Sequence, residues 1–173
     1  MNTMKDIHPK RKHYRLLHFD YSSVSSYFIT ICTAEKRNLF WAETCDGTLS
    51  EKGLIVEEEI LALPHRFCLT SIDKYVIMPD HVHLIITLFD SLVGADTDRP
   101  QPAADFPPPV ADRPNIKNVV GCLKAKITKR IGHGASVWQK SFYDHVIRSE
   151  KDYANAWDYI DNNPVAYICS KET

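Results

Sequence analysis

The stretch Lys74-Tyr-Val-Ile-Met-Pro-Asp-His-Val-His-Leu-Ile-Ile-Thr-Leu88 restricts the fold more than any other part of the chain. Pro79-Asp80 is a turn, because proline presets the backbone and aspartate can bond its own main chain. The residues before it, within Arg66 to Met78, read as a strand, and His81 to Leu88 as the next one, so the two form a hairpin. Residues two apart in a strand share a face. His81, His83, Ile85 and Thr87 therefore point one way, and Val82, Leu84, Ile86 and Leu88 the other. The second set is wholly apolar and should pack on helices. Both histidines then lie together on the opposite face.

The rest of the chain supplies those helices and two more strands. Tyr27-Phe-Ile-Thr-Ile-Cys-Thr33 alternates and is rich in β-branched and aromatic residues, which predicts a strand. Leu54 to Leu63 reads as a helix carrying the acidic run Glu57-Glu58-Glu59 and stopped by Pro64. Ile116, Val119, Val120, Leu123, Ile127 and Ile131 follow helical spacing, and Gly132 supplies a C-terminal stop. Val137 to Arg148 reads as a fourth strand. Ser149 with Asp152 resembles a capping box that opens a last helix, with Tyr153, Ala156, Trp157 and Ile160 as its stripe and Pro164 as its end. The order is strand, helix, hairpin, helix, strand, helix. This predicts an α+β, ferredoxin-like antiparallel sheet with two helices on one face, the histidine strand central, and an extra C-terminal helix.

At 173 residues the chain suits one domain and can bury a core without disulfides. Asp90 to Pro114 holds six of the ten prolines and no apolar periodicity, so it reads as a flexible insertion within that domain. Met1 to Asp20 is a polar, basic arm. The five cysteines (Cys32, Cys45, Cys68, Cys122, Cys169) are scattered, with no C-x-x-C pair, and read as reduced thiols of a cytoplasmic protein. No apolar run reaches the roughly 18 residues that span a bilayer, and no apolar segment follows the N-terminus, so neither a membrane helix nor a signal peptide is expected.

The net charge of −1 conceals two basic segments. Five basic residues (Lys5, Lys10, Arg11, Lys12, Arg15) stand against two acidic ones before position 21, and eight against two from Asn115 to Lys151. Either could meet a phosphate backbone, with Lys10, Arg11, Lys12, Arg15 and the face bearing Lys124, Lys129 and Arg130 as the candidate contacts.

Alternate residues of a strand stand about 7 Å apart, so two imidazoles at that spacing can converge on one divalent cation. A polar Asp80-to-His83 patch between strongly apolar strands costs burial, which a function would justify. Mg²⁺ or Mn²⁺ would complete its shell with oxygen ligands, water and a substrate phosphate. Zinc would call for a third histidine, cysteine or carboxylate close by. Position 85 is Ile85, which counts against hydrolases that use a longer histidine run. Tyr143, Tyr153, Tyr159 and Tyr167 are the candidate nucleophiles for phosphoryl transfer. Tyr153 lies on the last helix's stripe and is read as core. Tyr159 lies about 110° from the stripe centre and shares a face with Asn163, one turn on. Spacing alone does not choose among the others.

The ordered set His18-Phe-Asp-Tyr-Ser-Ser23, Tyr27-Phe-Ile-Thr-Ile-Cys-Thr33, Tyr75-Val-Ile-Met-Pro-Asp-His-Val-His83, Trp138-Gln139, Phe142-Tyr-Asp-His-Val-Ile-Arg148 and Tyr159-Ile-Asp-Asn-Asn-Pro164 resembles the REP-associated tyrosine transposases. These are relatives of the single-tyrosine insertion-sequence transposases with an HUH (histidine, hydrophobic, histidine) motif. The resemblance covers most of the chain outside the proline-rich insertion. It implies that His81 and His83 are the HUH metal ligands and that Tyr159 is the nucleophile. Asn163 falls where the insertion-sequence relatives carry a metal-completing glutamine, a departure that shortens the amide. Asp144, His145 and Arg148 fall in a shared block, with an implied supporting role at the site or on DNA. The implied reaction is Mg²⁺- or Mn²⁺-dependent cleavage and strand transfer of single-stranded, hairpin-forming DNA through a 5′-phosphotyrosine. Whether Tyr159 acts within one subunit or across a homodimer is left open. Two other readings stand beside it: a metal-dependent phosphodiesterase in which water attacks, and a non-catalytic nucleic-acid-binding module.

Overall fold

The computed structural model describes residues 20, 22–43, 46–90, 114–132 and 136–170. The basic arm with Lys10, Arg11, Lys12 and Arg15, and nearly all of the proline-rich insertion, lie outside the described residues. Four strands, β1 (Ser25–Cys32), β2 (Thr70–Ile77), β3 (His81–Leu88) and β4 (Tyr143–Ile147), form one antiparallel sheet in the order β2-β3-β1-β4. With α1 (Glu51–Leu61) and α3 (Ile116–Ile131) this is the ferredoxin-like arrangement expected from the sequence. A short helix α2 (Leu63–Arg66) follows α1, and α4 (Glu150–Cys169) closes the chain.

The period-2 pattern sorts residues to the two faces as expected. Tyr27, Ile29, Ile31, Val82, Leu84, Ile86, Leu88 and Val146 meet the apolar stripes of α1 and α3 in the main core. The other face has its own smaller core. Ile85 and Ile147 pack there against Ala156 and Ile160 of α4, flanked by Phe28, Val76, Tyr153 and Trp157. The histidine face is therefore roofed by the last helix.

Local chemistry sets the helix ends. Asn115 caps α3 by accepting from the Lys117 N–H at 2.9 Å, and Gly132 ends it at φ +100°, a left-handed setting that favours glycine. Ser50 caps α1 by accepting from the Gly53 N–H at 3.1 Å. A Cβ at Gly53 would stand 2.1 Å from the Phe40 carbonyl oxygen, so the loop can cross α1 only over a glycine. Gly53→Ala should force the Phe40 backbone away and lower stability by about 1–3 kcal/mol, read as a shifted urea midpoint.

Three expectations about boundaries need correction. Pro64 does not stop the helix from within; α1 already ends at Leu61, and Pro64 opens α2, in a first turn where its missing N–H goes unneeded. Pro164 does not end the last helix either, since α4 runs through it to Cys169. An interior proline costs about 3 kcal/mol. Packing beyond the proline holds the last turns in place: Tyr167 meets the Trp41 ring edge-on at 5.4 Å, and Trp41 is itself held by its indole N–H donating to the Ile77 carbonyl at 2.6 Å. The fourth strand is shorter than Val137 to Arg148. Val137 to Gln139 instead cross the end of β1, with Ala34 N donating to Val137 O at 2.9 Å and Gln139 N to Cys32 O at 2.9 Å. The chain leaves the sheet and returns as β4 at Tyr143.

An ion network centred on one buried carboxylate ties the helices together. Glu59, only 4% exposed, pairs with Arg66 at 2.7 Å and Arg130 at 3.1 Å, and Arg130 also reaches Glu58 at 2.6 Å. Burial works to raise the Glu59 pKa, but the bonds and charges of Arg66 and Arg130 outweigh it, so it sits below its ordinary value. A depressed folded pKa adds stability that is present above the unfolded value, near 4.3, and is lost as pH falls through the folded one. Glu59→Gln should therefore lower the urea midpoint at pH 7, and the gap from the parent should close on acidification below about pH 4.

Candidate active site

The hairpin that the sequence predicts delivers His81 and His83 side by side, their ring centroids 4.6 Å apart at 76°. His83 is buried, at 4% exposure, and stacks on Phe28 with centroids 5.3 Å apart and planes 18° from parallel. Its Nδ1 lies 2.8 Å from the Thr30 hydroxyl, and its buried Nε2 has no hydrogen-bond partner among the described residues. Burial, then the neighbouring His81, pushes the His83 pKa down to about 3, so this imidazole is neutral across the physiological range. His81 sits at the rim, and its Nδ1 lies 2.5 Å from the Asp80 carboxylate.

The last helix brings the tyrosine. Ala156 and Ile160 face down onto Ile85, which leaves Tyr159 at the edge of the contact. Its ring is 52% exposed and meets His83 edge-on, with centroids 5.1 Å apart at 80° and Phe28 5.7 Å away at 85°. Asn163 lies half-buried one turn further on the same helix face. Asp161 pairs with Lys74 at 2.7 Å, and Lys74 also lies 4.3 Å over the Trp157 ring, so α4 is tethered to β2 beside the site.

The other tyrosines differ in setting. Tyr153 is half-buried in the second core, as its stripe position suggested, and its hydroxyl donates to Asp73 at 3.1 Å. Burial and the Asp73 charge push its pKa up to about 12, which holds it as a phenol. Asp73 also accepts from Thr87 and Ser71, each at 2.6 Å, so this polar cluster anchors the start of α4 to the sheet. Tyr167 packs on Trp41. Tyr143 stands on β4, across β1 from the histidine strand.

Other expected site residues divide by face. Asp144 pairs with Ile29 in register and is buried on the α1–α3 side, away from the histidines. Its place in the shared sequence block did not reveal this; its strand parity relative to Val146 does. His145 is on the histidine side, with Nε2 2.9 and 3.0 Å from the two Asp152 oxygens. Asp152 also accepts from the Arg148 backbone N–H at 3.2 Å, and its own N–H donates to the capping Ser149 hydroxyl at 3.2 Å. His145 thus clasps the start of α4, about two turns from Tyr159.

The expected phosphate-binding face on α3 is partly spent. Lys124 is half-buried and donates to the Gln139 carbonyl at 2.7 Å, and Arg130 is committed to Glu58 and Glu59. Burial lowers the Lys124 pKa. Lys129 is exposed, but α3 packs against the sheet face opposite the histidines. Phe28 and Thr30 also line the site, against His83, and were not among the residues expected there. Their alternation with Tyr27, Ile29 and Ile31 signals the face, but which histidine they meet depends on register.

Two neutral imidazoles at this spacing could share one divalent cation. Among the described residues, no group of three or more His, Cys, Asp and Glu side chains gathers to hold a metal ion. A cation at the pair would have to draw further ligands from elsewhere. Cys32, which pairs with His81 across the strands, is kept as a thiol by burial and by the Asp80 charge. No helix among the described residues is long and apolar enough to cross a membrane.

No protein-family model matches the chain. It is 34% identical over 161 residues to an uncharacterized protein of Haemophilus influenzae, spanning 91% of this chain and 89% of that one. It is 30% identical over 99 residues to the REP-associated tyrosine transposase of Escherichia coli K12, spanning 56% of this chain but only 45% of that protein. Its fold matches a solved REP-associated tyrosine transposase bound to a REP hairpin with a TM-score of 0.59 and 23% identity, over 90% of this chain and 74% of the other. The chain therefore shares the fold of a REP-associated tyrosine transposase and resembles two proteins of that name in sequence, spanning about half of the length of each.

Proposed function

We propose that this protein cleaves and rejoins single-stranded DNA through a tyrosine-linked intermediate, acting on hairpins formed by repetitive palindromes. The observation that carries the reading is the meeting of Tyr159 with a buried, neutral His83 whose Nε2 lacks a partner. His81, His83 and the Asn163 amide would hold a Mg²⁺ or Mn²⁺ ion. That ion, when bound, polarises the phosphate and offsets the charge that builds on its oxygens.

The chain's own residues do the rest. The Tyr159 oxygen attacks phosphorus, the phenol proton passing to solvent. The P–O bond to the 3′ oxygen breaks as the bond to tyrosine forms, and the departing oxygen takes a proton from solvent, leaving a 5′-phosphotyrosine and a 3′ hydroxyl. Attack by a 3′ hydroxyl reverses the step, so the bond energy is retained without a nucleotide cofactor. The α4 tethers at Lys74–Asp161, Tyr153–Asp73 and His145–Asp152 support this by holding the tyrosine in place, and positioning is most of what such chemistry needs. Lys10, Arg11, Lys12 and Arg15 are the basic side chains we assign to the DNA backbone. The named Escherichia coli relative is about twice as long as its matched region, so the reaction of that whole protein is carried here only as this proposal.

The test is to incubate the protein with end-labelled hairpin single strands and Mg²⁺ or Mn²⁺, then run a denaturing gel. A protein-linked band that carries the label on the 5′ phosphate side supports strand transfer. Cleaved strands without such a band would assign the site to attack by water instead.

A further inference from the structure

We propose that Thr30 and Asp80 are positioning residues that set the tautomers of His83 and His81, so that both imidazoles carry hydrogen on Nδ1 and present a bare Nε2 to one cation. This rests on the reading of the pair as cation ligands. A neutral imidazole has one N–H and one lone pair, and the partner of one nitrogen decides what the other offers.

For His81 the assignment follows from the partner. A carboxylate oxygen only accepts, so Asp80 at 2.5 Å draws the hydrogen to Nδ1 and leaves the lone pair on Nε2. For His83 the partner is a hydroxyl, which can donate or accept. The surroundings then decide. The Nε2 atom is buried and unpartnered among the described residues, so a hydrogen on it would be a stranded donor. Buried, unpaired N–H groups are rarer than unpaired acceptors. With hydrogen on Nδ1, the bond to Thr30 Oγ1 is made and the lone pair on Nε2 is left for a cation.

The sheet makes Thr30 the side chain able to do this. In register, His83 has Thr30 beside it on β1 and Val76 beside it on β2. Val76 is apolar, so of these two neighbours only β1 brings a polar group. Phe28, stacked on the imidazole, fixes the ring plane. Ring orientation and tautomer are then settled before any cation arrives, and loss of such outer contacts typically lowers metal affinity about 10–100-fold.

The test uses the full chain without metal. Long-range ¹⁵N–¹H spectra of the histidine rings at neutral pH report each tautomer directly. Wild type should show Nδ1–H at both His81 and His83. Thr30→Val keeps shape and β-branching but removes the hydroxyl. It should move His83 toward Nε2–H while leaving His81 unchanged, and Thr30→Ser should restore the wild-type pattern. Asp80→Ala should do the same to His81, with Asp80→Asn partly restoring it through its amide oxygen. Mn²⁺ affinity by calorimetry should fall about 10–100-fold in Thr30→Val and recover in Thr30→Ser. An Nε2–H tautomer at His83 in wild type, or a Thr30→Val protein with wild-type tautomer and affinity, would overturn the assignment. Wild type with both Nδ1–H tautomers but no Mn²⁺ or Mg²⁺ binding would sink the cation reading while leaving the tautomer roles of Thr30 and Asp80 supported.

Discussion

Tyr159→Phe should abolish the covalent protein–DNA product while leaving folding, DNA binding and Mn²⁺ binding intact. The substitution removes one oxygen from a ring that is half in solvent, so stability should change by no more than about 0.5 kcal/mol. The edge contacts with His83 and Phe28 belong to the ring and survive. Only the attacking atom is lost. Tyr153 is held as a phenol by Asp73, and Tyr167 is turned to Trp41. Loss of a nucleophile from a concerted site commonly costs about 10⁴-fold or more, which on a denaturing gel is complete loss of the linked band. Full retention of cleavage in this variant would remove Tyr159 from the chemistry and favour attack by water.

Loss of a histidine should act differently. His81→Ala should cut the rate of adduct formation by more than the roughly 10–100-fold expected for an outer contact, with partial recovery at high Mn²⁺. His81 is the better histidine for this experiment because it lies at the rim. His83 is buried against Phe28, and its removal would also open a cavity, mixing a stability loss into the rate. A Mn²⁺ titration of adduct formation separates the variants: Tyr159→Phe should be inactive at every concentration, whereas His81→Ala should have its response displaced to higher Mn²⁺. An unchanged titration in His81→Ala would remove the histidine pair from metal binding.

Together the two variants separate the attacking group from the group that prepares the phosphate. The separation matters because the structure brings the two together from distant parts of the chain. His83 lies on a central strand in a rigid core, and Tyr159 on a helix held by a few polar tethers. A helix of this kind can be repositioned by local changes, so variants at Asp73 or Lys74 should affect the reaction through the placement of Tyr159.

Several features needed no tertiary information. Alternation along His81 to Leu88 put both histidines on one face and Val82, Leu84, Ile86 and Leu88 on the other, because strand geometry repeats every two residues. Helical spacing from Ile116 with the Gly132 stop, and the Ser149 cap, located α3 and the start of α4 for the same local reason. Tertiary structure decided what those faces meet. Thr30 and His83 are 53 positions apart, and only strand register sets them opposite one another. Lys124 and Arg130 read as free cations until the fold gave them carbonyl and carboxylate partners. Pro164 reads as a helix end, yet α4 continues through it to a residue that packs on Trp41. Periodicity reports the geometry of neighbours in the chain, which placed the histidine pair on one face. The approach of Tyr159 to that pair is a long-range contact, set by how α4 buries Ala156 and Ile160 on Ile85.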